Sequence, residues 1–302
     1  MHALRETKGS LALASGSRVH TARYAHEEAV HPHTHGFVEL VAVVDGTAVH
    51  CSRAGRTPLA VGDLVLLRPG LWHSYEECAG LVLYNLCFNP ELLQGELAWT
   101  RDDRLLGGLL RSAAGEARGR LDAGALAECT AHLDALAALG SPPPATHRAD
   151  LVGRLALVLG IAARALAPAA GTGPGAHPAA LAAARLLEDR PERRWTLERL
   201  GAELHLSPGY LARRFKAAFG LPPLAYLARH RIETAAGLLL HTDLPVGRIA
   251  RDVGWADPNL FARRFRERIG MSPTAYRKTF AHRTAHDPAT ASPERDGSRQ
   301  DG

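Results

Sequence analysis

From about residue 19 to 88 apolar residues come in short runs cut by turn formers: "FVELVAVVDGTAVHC" breaks at Asp45-Gly46, "VGDLVLLRPG" ends on Pro69-Gly70, and "GLVLYNLCF" continues the series. Runs of this length bounded by glycine and proline predict antiparallel strands, with a hairpin at Asp45-Gly46. From residue 92 to about 167 leucine and alanine recur at helical spacing, and "SPPP" at 141–144 forces a break between two helices, since proline has no N–H to carry a helix on. "PAAGTGPGAHP" has the composition of a flexible connection, after which the helical pattern resumes to residue 280. The end of the chain, "TAHDPATASPERDGSRQDG", has almost nothing to bury and is expected to be disordered. The pattern thus divides the chain into a strand-rich domain (1–110), a helical dimerisation or packing segment (111–167), a linker (168–177), an all-α domain (178–282) and a tail (283–302).

Within the all-α stretch the text repeats. "LARRFKAAFGLPPLAY" (211–226) and "FARRFRERIGMSPTAY" (261–276) align at an offset of 50, whereas the preceding helices, "WTLERLGAEL" and "PVGRIARDVG", align at 49. The second copy therefore has one more residue in its turn, and each copy reads helix, short turn, helix. At about 100° per residue, Leu211, Phe215 and Phe219 fall on one side of the second helix, and Gly209, Ala212, Arg213 and Lys216 on the other. In the repeat Phe261, Phe265 and Ile269 face inward while Asn259, Ala262, Arg263 and Arg266 face out. Small residues let a helix approach closely, arginine can bond guanine O6 and N7 together, and asparagine can do the same to adenine N6 and N7. Arg214 and Arg264 lie toward the packing edge, where a phosphate or an intramolecular partner suits them better. One such helix would pass for an ordinary amphipathic helix with a basic face, but two copies with matching inward aromatics argue for a paired DNA reader.

Charge sharpens this reading. The chain carries +5 overall, distributed as −2 over 1–176, +8 over 177–282 and −1 over the tail. A basic excess confined to the repeat-bearing half suits an anionic partner, because neutralising phosphates releases counterions. With 46% hydrophobic and 22% charged residues the chain is of globular type. The longest apolar run, 155–167, is too short for a bilayer and contains Arg164, and the N-terminus lacks a signal-peptide apolar core, so a cytoplasmic protein without membrane contact is expected. Four dispersed cysteines without a CxxC pair speak against a zinc ribbon or a redox pair and for buried thiols.

On "WTLERLGAELHLSPGYLARRFKAAFG" and "YLARHRIETAAGLLLHTDLPVGRIARDVGWADPNLFARRFRERIGMSPTAYRK", the basic half resembles the AraC/XylS family of bacterial transcription regulators. The resemblance implies two helix-turn-helix units, joined by a long helix near 223–241, that enter successive major grooves on one face of double-stranded promoter or operator DNA. Recurrence of the groove about every 34 Å makes a rigid helical spacer physically sensible. By position the base-contacting residues are Gly209, Ala212 and Arg213 in the first unit and Pro258, Asn259, Ala262 and Arg263 in the second. Gly209 and Ala212 offer only shape or methyl contact, so the second unit is expected to do more of the base reading. A homodimer, a small-molecule effector and the transcription machinery are the other partners implied.

In "HPHTHGFVEL" (31–40), strand alternation points His31, His33, His35, Phe37 and Glu39 to one face. His33, His35 and Glu39, with Gly46 beyond, resemble the first cupin motif, and "GDLVLLRPGLWHSY" resembles the second, with His73 at its histidine position. His33, His35, Glu39 and His73 could hold a divalent transition metal with coordination positions to spare, as a cupin enzyme would. The second motif departs from the enzyme pattern: Pro69-Gly70 alters its spacing, and Glu77 stands where asparagine is expected. AraC-type regulators commonly carry an N-terminal cupin barrel, a jelly roll, that binds an effector without catalysis, and "LVLYNLCFNPELL" is similar to rhamnose-responsive members. On that reading no cofactor is required and the protein is no enzyme. His33, His35, Glu39 and His73 would bond the hydroxyls of an effector, often a sugar in such regulators, Trp72 or Phe37 would stack on its apolar face, and His31 would sit at the rim. The alternatives are a metal with a structural or sensing role, a metal-dependent cupin enzyme fused to a DNA-binding module, and a barrel that only mediates protein association.

Overall fold

In a computed structural model of the chain, residues 18–280 are described apart from 94, 102, 112–115, 141–144 and 167–176. The expected break at 141–144, nearly all of the linker and the whole tail lie outside the described residues. Strands β1 (Val19–His26), β2 (Val30–His33), β3 (Val38–Ser52), β4 (Gly55–Leu59), β5 (Asp63–Leu67), β6 (His73–Phe88) and β7 (Glu116–Arg120) form one antiparallel sheet of order β1-β6-β3-β5-β7, with β2 on β6 and β4 on β3. The long pair β3 and β6 extends from Val38 opposite Phe88 to Ser52 opposite His73.

Both faces of this sheet are buried, which is why its strands read as nearly continuous apolar runs. Leu40, Ala42, Leu64, Leu66, Leu86 and Phe88 join one core, while Val41, Val43, Val65, Leu67, Leu81 and Leu83 form another on the opposite face. Period-two alternation separates the two sets. Glu39 has the parity of Val41 and Val43, so a carboxylate stands in the line of the inner core.

The helices α1 (Arg104–Arg111), α2 (Ala123–Ala138) and α3 (Arg148–Leu166) cover the first core. Leu151, Leu155, Val158, Leu159, Ile161 and Ala162 of α3 are buried within the chain, so intramolecular packing takes up most of this helix's apolar surface. Leu157, 51% exposed, is what it leaves to solvent.

Two expectations are corrected. Asp45-Gly46 is no hairpin: β3 continues through it, the β3–β6 register shifts there, and Gly46 adopts φ +67°. A side chain at 46 would meet the Gly80 carbonyl oxygen at 2.1 Å, so the glycine serves a bulge rather than a turn. Second, residues 111–167 are not helical throughout, because β7 pairs with β5 from Asp63–Arg120 to Leu67–Glu116. A Cβ on Gly119 would lie 2.2 Å from the Ala165 carbonyl oxygen of α3, so glycine lets helix and edge strand touch. Gly119→Ala is accordingly expected to lose about 1–3 kcal/mol through overpacking. An unchanged urea midpoint would show that α3 yields freely at this contact.

The C-terminal half contains α4 (Pro178–Asp189), α5 (Leu197–Glu203), α6 (Pro208–Phe219), α7 (Pro223–His241), α8 (Val246–Asp252), α9 (Pro258–Ile269) and α10 (Pro273–Phe280). The repeat becomes two small cores. Phe215, Phe219, Tyr226 and Leu227 close the first with α4 and α5; Ile232, Ala236 and Leu239 join Ile249, Phe261, Phe265 and Tyr276 in the second. Helix α7 belongs to both and, at 19 residues, is about 28 Å long. Helices α6 and α9 each begin with proline in the first turn and stop at a left-handed glycine, Gly220 (φ 71°) and Gly270 (φ 98°). The one-residue difference falls in the turns, 204–207 against 253–257, as the two offsets require.

Candidate functional sites: two recognition helices and a buried histidine cluster

Residues 211–220 and 261–270 have the same burial pattern, position by position. Leu211, Phe215 and Phe219 are buried, as are Phe261, Phe265 and Ile269. Gly209, Arg213, Lys216, Pro258, Asn259, Arg263 and Arg266 are exposed, with Ala212 and Ala262 half-buried between them. The two edge arginines have partners at hand: Arg264 donates to Glu267 at 3.0 Å, and the Arg214 guanidinium lies 5.2 Å from the Tyr210 ring centre. Arg263 reaches Glu267 only at 4.0 Å across an exposed pair, which a nucleic acid can displace at small cost.

In the barrel the structure brings His35, Glu39 and His73 together. One ligand atom of each lies within 4.8 Å of the others, and all three side chains are buried. Glu39 Oε2 is 3.2 Å from His35 Nε2 and 3.1 Å from His73 Nε2, yet none of these atoms makes a well-directed hydrogen bond. His35 Nδ1 lies 2.9 Å from the Phe37 carbonyl oxygen and must donate to it, so in the neutral ring Nε2 turns a lone pair toward the carboxylate. Two lone pairs at that distance require a proton or a cation between them. Burial pushes the Glu39 carboxyl up, but with a proton on His35 Nε2 the charge of that ring, and the His35 and His73 nitrogens close by, overcome it and hold the group well below the usual carboxylate range. The donor set, two imidazoles and a carboxylate, therefore fits a divalent transition metal.

Behind His73 stands a group that sequence reasoning missed. His50 Nε2 lies 3.3 Å from His73 Nδ1, and Arg118 Nη2 lies 2.6 Å from His50 Nδ1. Arginine can only donate, so in the metal-free cluster His50 carries its proton on Nε2 and presents it to His73, whose own proton then sits on Nε2, toward Glu39. Burial is the first cause that lowers both rings, His73 to about 3 and His50 to about 4. Cys87 Sγ, 3.9 Å from Glu39 Oε1, completes the surroundings. His33 is half-buried at the edge, its ring centre 4.2 Å from that of His73, and His31 is exposed.

Trp72 lies elsewhere. It packs against the second core of the helical half, in a contact built by the two loops that flank the histidines. Thr34 Oγ1 donates to the Leu71 carbonyl and lies 3.0 Å from the Tyr276 hydroxyl. A Cβ on Gly70 would meet Ala236 of α7 at 2.8 Å. Arg68 donates from Nε and Nη2 to the two oxygens of Glu233 at 3.2 and 2.9 Å. The repeat tyrosines thus differ in use: Tyr226 bonds Glu188 inside its own domain, whereas Tyr276 reaches the barrel. Among the described residues no helix is long and apolar enough to cross a membrane.

Comparison with known proteins agrees with both halves. The AraC-like ligand binding domain family matches residues 15–137, and a helix-turn-helix domain family matches 200–279. The HTH-type transcriptional activator RhaR of Cronobacter sakazakii is 30% identical over 235 residues, covering 76% of this chain and 80% of its own. RhaR of Klebsiella pneumoniae is 32% identical over 237 residues, with 76% and 81% covered. Among solved structures, ToxT of Vibrio cholerae shares the fold at a TM-score of 0.52 and 10% identity, over 88% of this chain and all of that one. With a jelly-roll-like ligand-binding domain and a double helix-turn-helix domain in one polypeptide, the chain belongs to the AraC family of transcription regulators.

Proposed function

We propose that this regulator works in the cytoplasm as a homodimer, reads operator DNA through α6 and α9, and answers to a small effector, a sugar on the reading we favour, held by His33, His35, Glu39 and His73. The observation that carries it is Glu39, an ionised carboxylate 1% exposed in an otherwise apolar line, beside the loops that grip the DNA-binding half. An effector hydroxyl can donate to Glu39 or to the lone pair of His35. Trp72 is then a residue of the domain contact rather than a stacking platform. The output is altered contact with DNA and the transcription machinery, not turnover. Calorimetric titration with a panel of neutral sugars tests the effector: one member should bind the wild type and lose its heat in Glu39→Gln, and binding unaffected by that change would move the site.

The three buried, undirected donor atoms favour a second reading, in which His35, Glu39 and His73 hold a divalent metal that would supply a Lewis-acid contact to an effector oxygen. Elemental analysis separates the two, since absence of stoichiometric metal together with stability unmoved by a chelator excludes it.

For the DNA contacts, Arg213, Lys216, Asn259, Arg263 and Arg266 are the groups able to donate to bases or phosphates, while Gly209, Ala212, Pro258 and Ala262 set the fit. Arg263→Ala should cost about 1–3 kcal/mol of discrimination at its base pair. Sequence selection on both variants should find preference relaxed more by Arg263→Ala than by Arg213→Ala; the opposite order would overturn the ranking of the two units.

A further inference from the structure

We propose that the seam between the two domains holds a second ligand site, separate from the histidine cluster, that takes an uncharged, mainly apolar molecule with a hydroxyl or similar donor. A cavity of about 500 Å³ lies there, within the range of small-molecule sites. Strands β3 and β5 supply Val38 and Leu66 to its wall, α1 supplies Leu110, and α7 supplies Tyr226, Gly237 and Leu238.

Apart from the exposed Glu91, the charged side chains around it are already engaged with partners. Arg68 is bidentate on Glu233, Arg229 Nε lies 3.7 Å from the same carboxylate, and Glu188 accepts from the Tyr226 hydroxyl. A charged ligand would shed its hydration and meet groups that are engaged with each other, whereas an uncharged one avoids that cost. The hydroxyls of Thr100 and Thr234 also line the cavity and spend their protons on the carbonyls of Leu97 and His230, so each offers a ligand only an acceptor. Because the wall is built from both domains, the ligand binds the docked arrangement better than any other. It therefore favours that arrangement, and DNA binding and ligand binding are linked wherever DNA prefers a different one.

Gly237 provides the test. A Cβ there has no heavy atom within 4 Å, so a side chain enters open space, and leucine is a better helix former than glycine. Two dyes of one skeleton, uncharged N-phenyl-1-naphthylamine and anionic 8-anilinonaphthalene-1-sulfonate, are titrated into the full chain by fluorescence. The uncharged dye should bind one site per chain, roughly tenfold tighter than the sulfonate, and lose roughly tenfold in Gly237→Leu and less in Gly237→Ala, with circular dichroism showing both variants folded. Failure of the uncharged dye to bind, or equal binding to Gly237→Leu, overturns the site. A sulfonate that binds tighter and is expelled by Gly237→Leu overturns the ligand chemistry. Neither result bears on effector binding at Glu39.

Discussion

Replacing Glu233 by alanine is expected to destabilise the protein by about 3–5 kcal/mol, because it strips the shared carboxylate from a buried group of arginines. Arg68 approaches it at 2.9 Å, Arg229 at 3.7 Å and Arg268 at 3.7 Å, and Glu233 itself is 8% exposed. Burial raises the Glu233 carboxyl, but the Arg68 and Arg229 charges more than offset it and keep the group ionised. The asymmetry of the cluster gives the prediction its edge. Arg68→Met removes one of three cations and leaves Glu233 with the other two, so its cost should be about 1.5–3 kcal/mol, that of a charge-assisted hydrogen bond. Urea denaturation of both variants decides the matter: equal losses would mean that Glu233 is not the hub. The consequence reaches function, since Arg68 stands five residues before His73, on the loop between β5 and β6 that packs against α7. Loosening it should undock the helical domain without touching a recognition residue.

How far the sequence disclosed this arrangement depended on the kind of interaction. Repetition and periodicity revealed the helical half nearly residue by residue, because Leu211, Phe215 and Phe219 and their counterparts at 261, 265 and 269 answer to helical geometry alone. The strands were legible for the same reason, but their irregularities were not. Gly46 looked like a hairpin because the signal of a turn and that of a bulge are both a left-handed glycine. That bulge also hid His50: counted by alternation from Glu39 it falls on the wrong face, and the register shifts between Val43 and Val49 bring it back beside His73. Strand β7, "EARGR", has no apolar alternation to announce it, since Glu116 and Arg118 point to the histidines and Gly119 accommodates α3. His35, Glu39 and His73 lie together with His33 at their edge, whereas Trp72 packs on the helical half, and nothing local says that a loop will dock on a domain 160 residues further on. A sequence-local signal for Arg68 and Glu233 does not exist, since each alone is an ordinary surface charge on its own element.

Acid is expected to unfold the metal-free barrel from about pH 6.5 downward. An imidazole in the unfolded chain takes up its proton near 6.5, while His73 in the folded protein resists until about 3 and His50 until about 4, chiefly because burial disfavours the charged ring. Their folded values lie below the unfolded one, so the stability they contribute is complete above pH 6.5 and drains away as the pH falls toward those values. Each resisting ring steepens the loss by about 1.4 kcal/mol per pH unit, which makes the total for His73 on the order of 5 kcal/mol by pH 3. Glu39, held low in the folded state, adds to the loss only below the ordinary carboxylate range. Urea midpoints measured between pH 7.5 and 4.5 should show this slope in the wild type and a shallower one in His73→Asn and in His50→Asn. An unaltered slope in both variants would assign the acid sensitivity to other groups. If the cluster takes a metal, Zn²⁺ added before the titration must compete with protons for His73 and should carry the transition to lower pH in the wild type but not in His73→Asn.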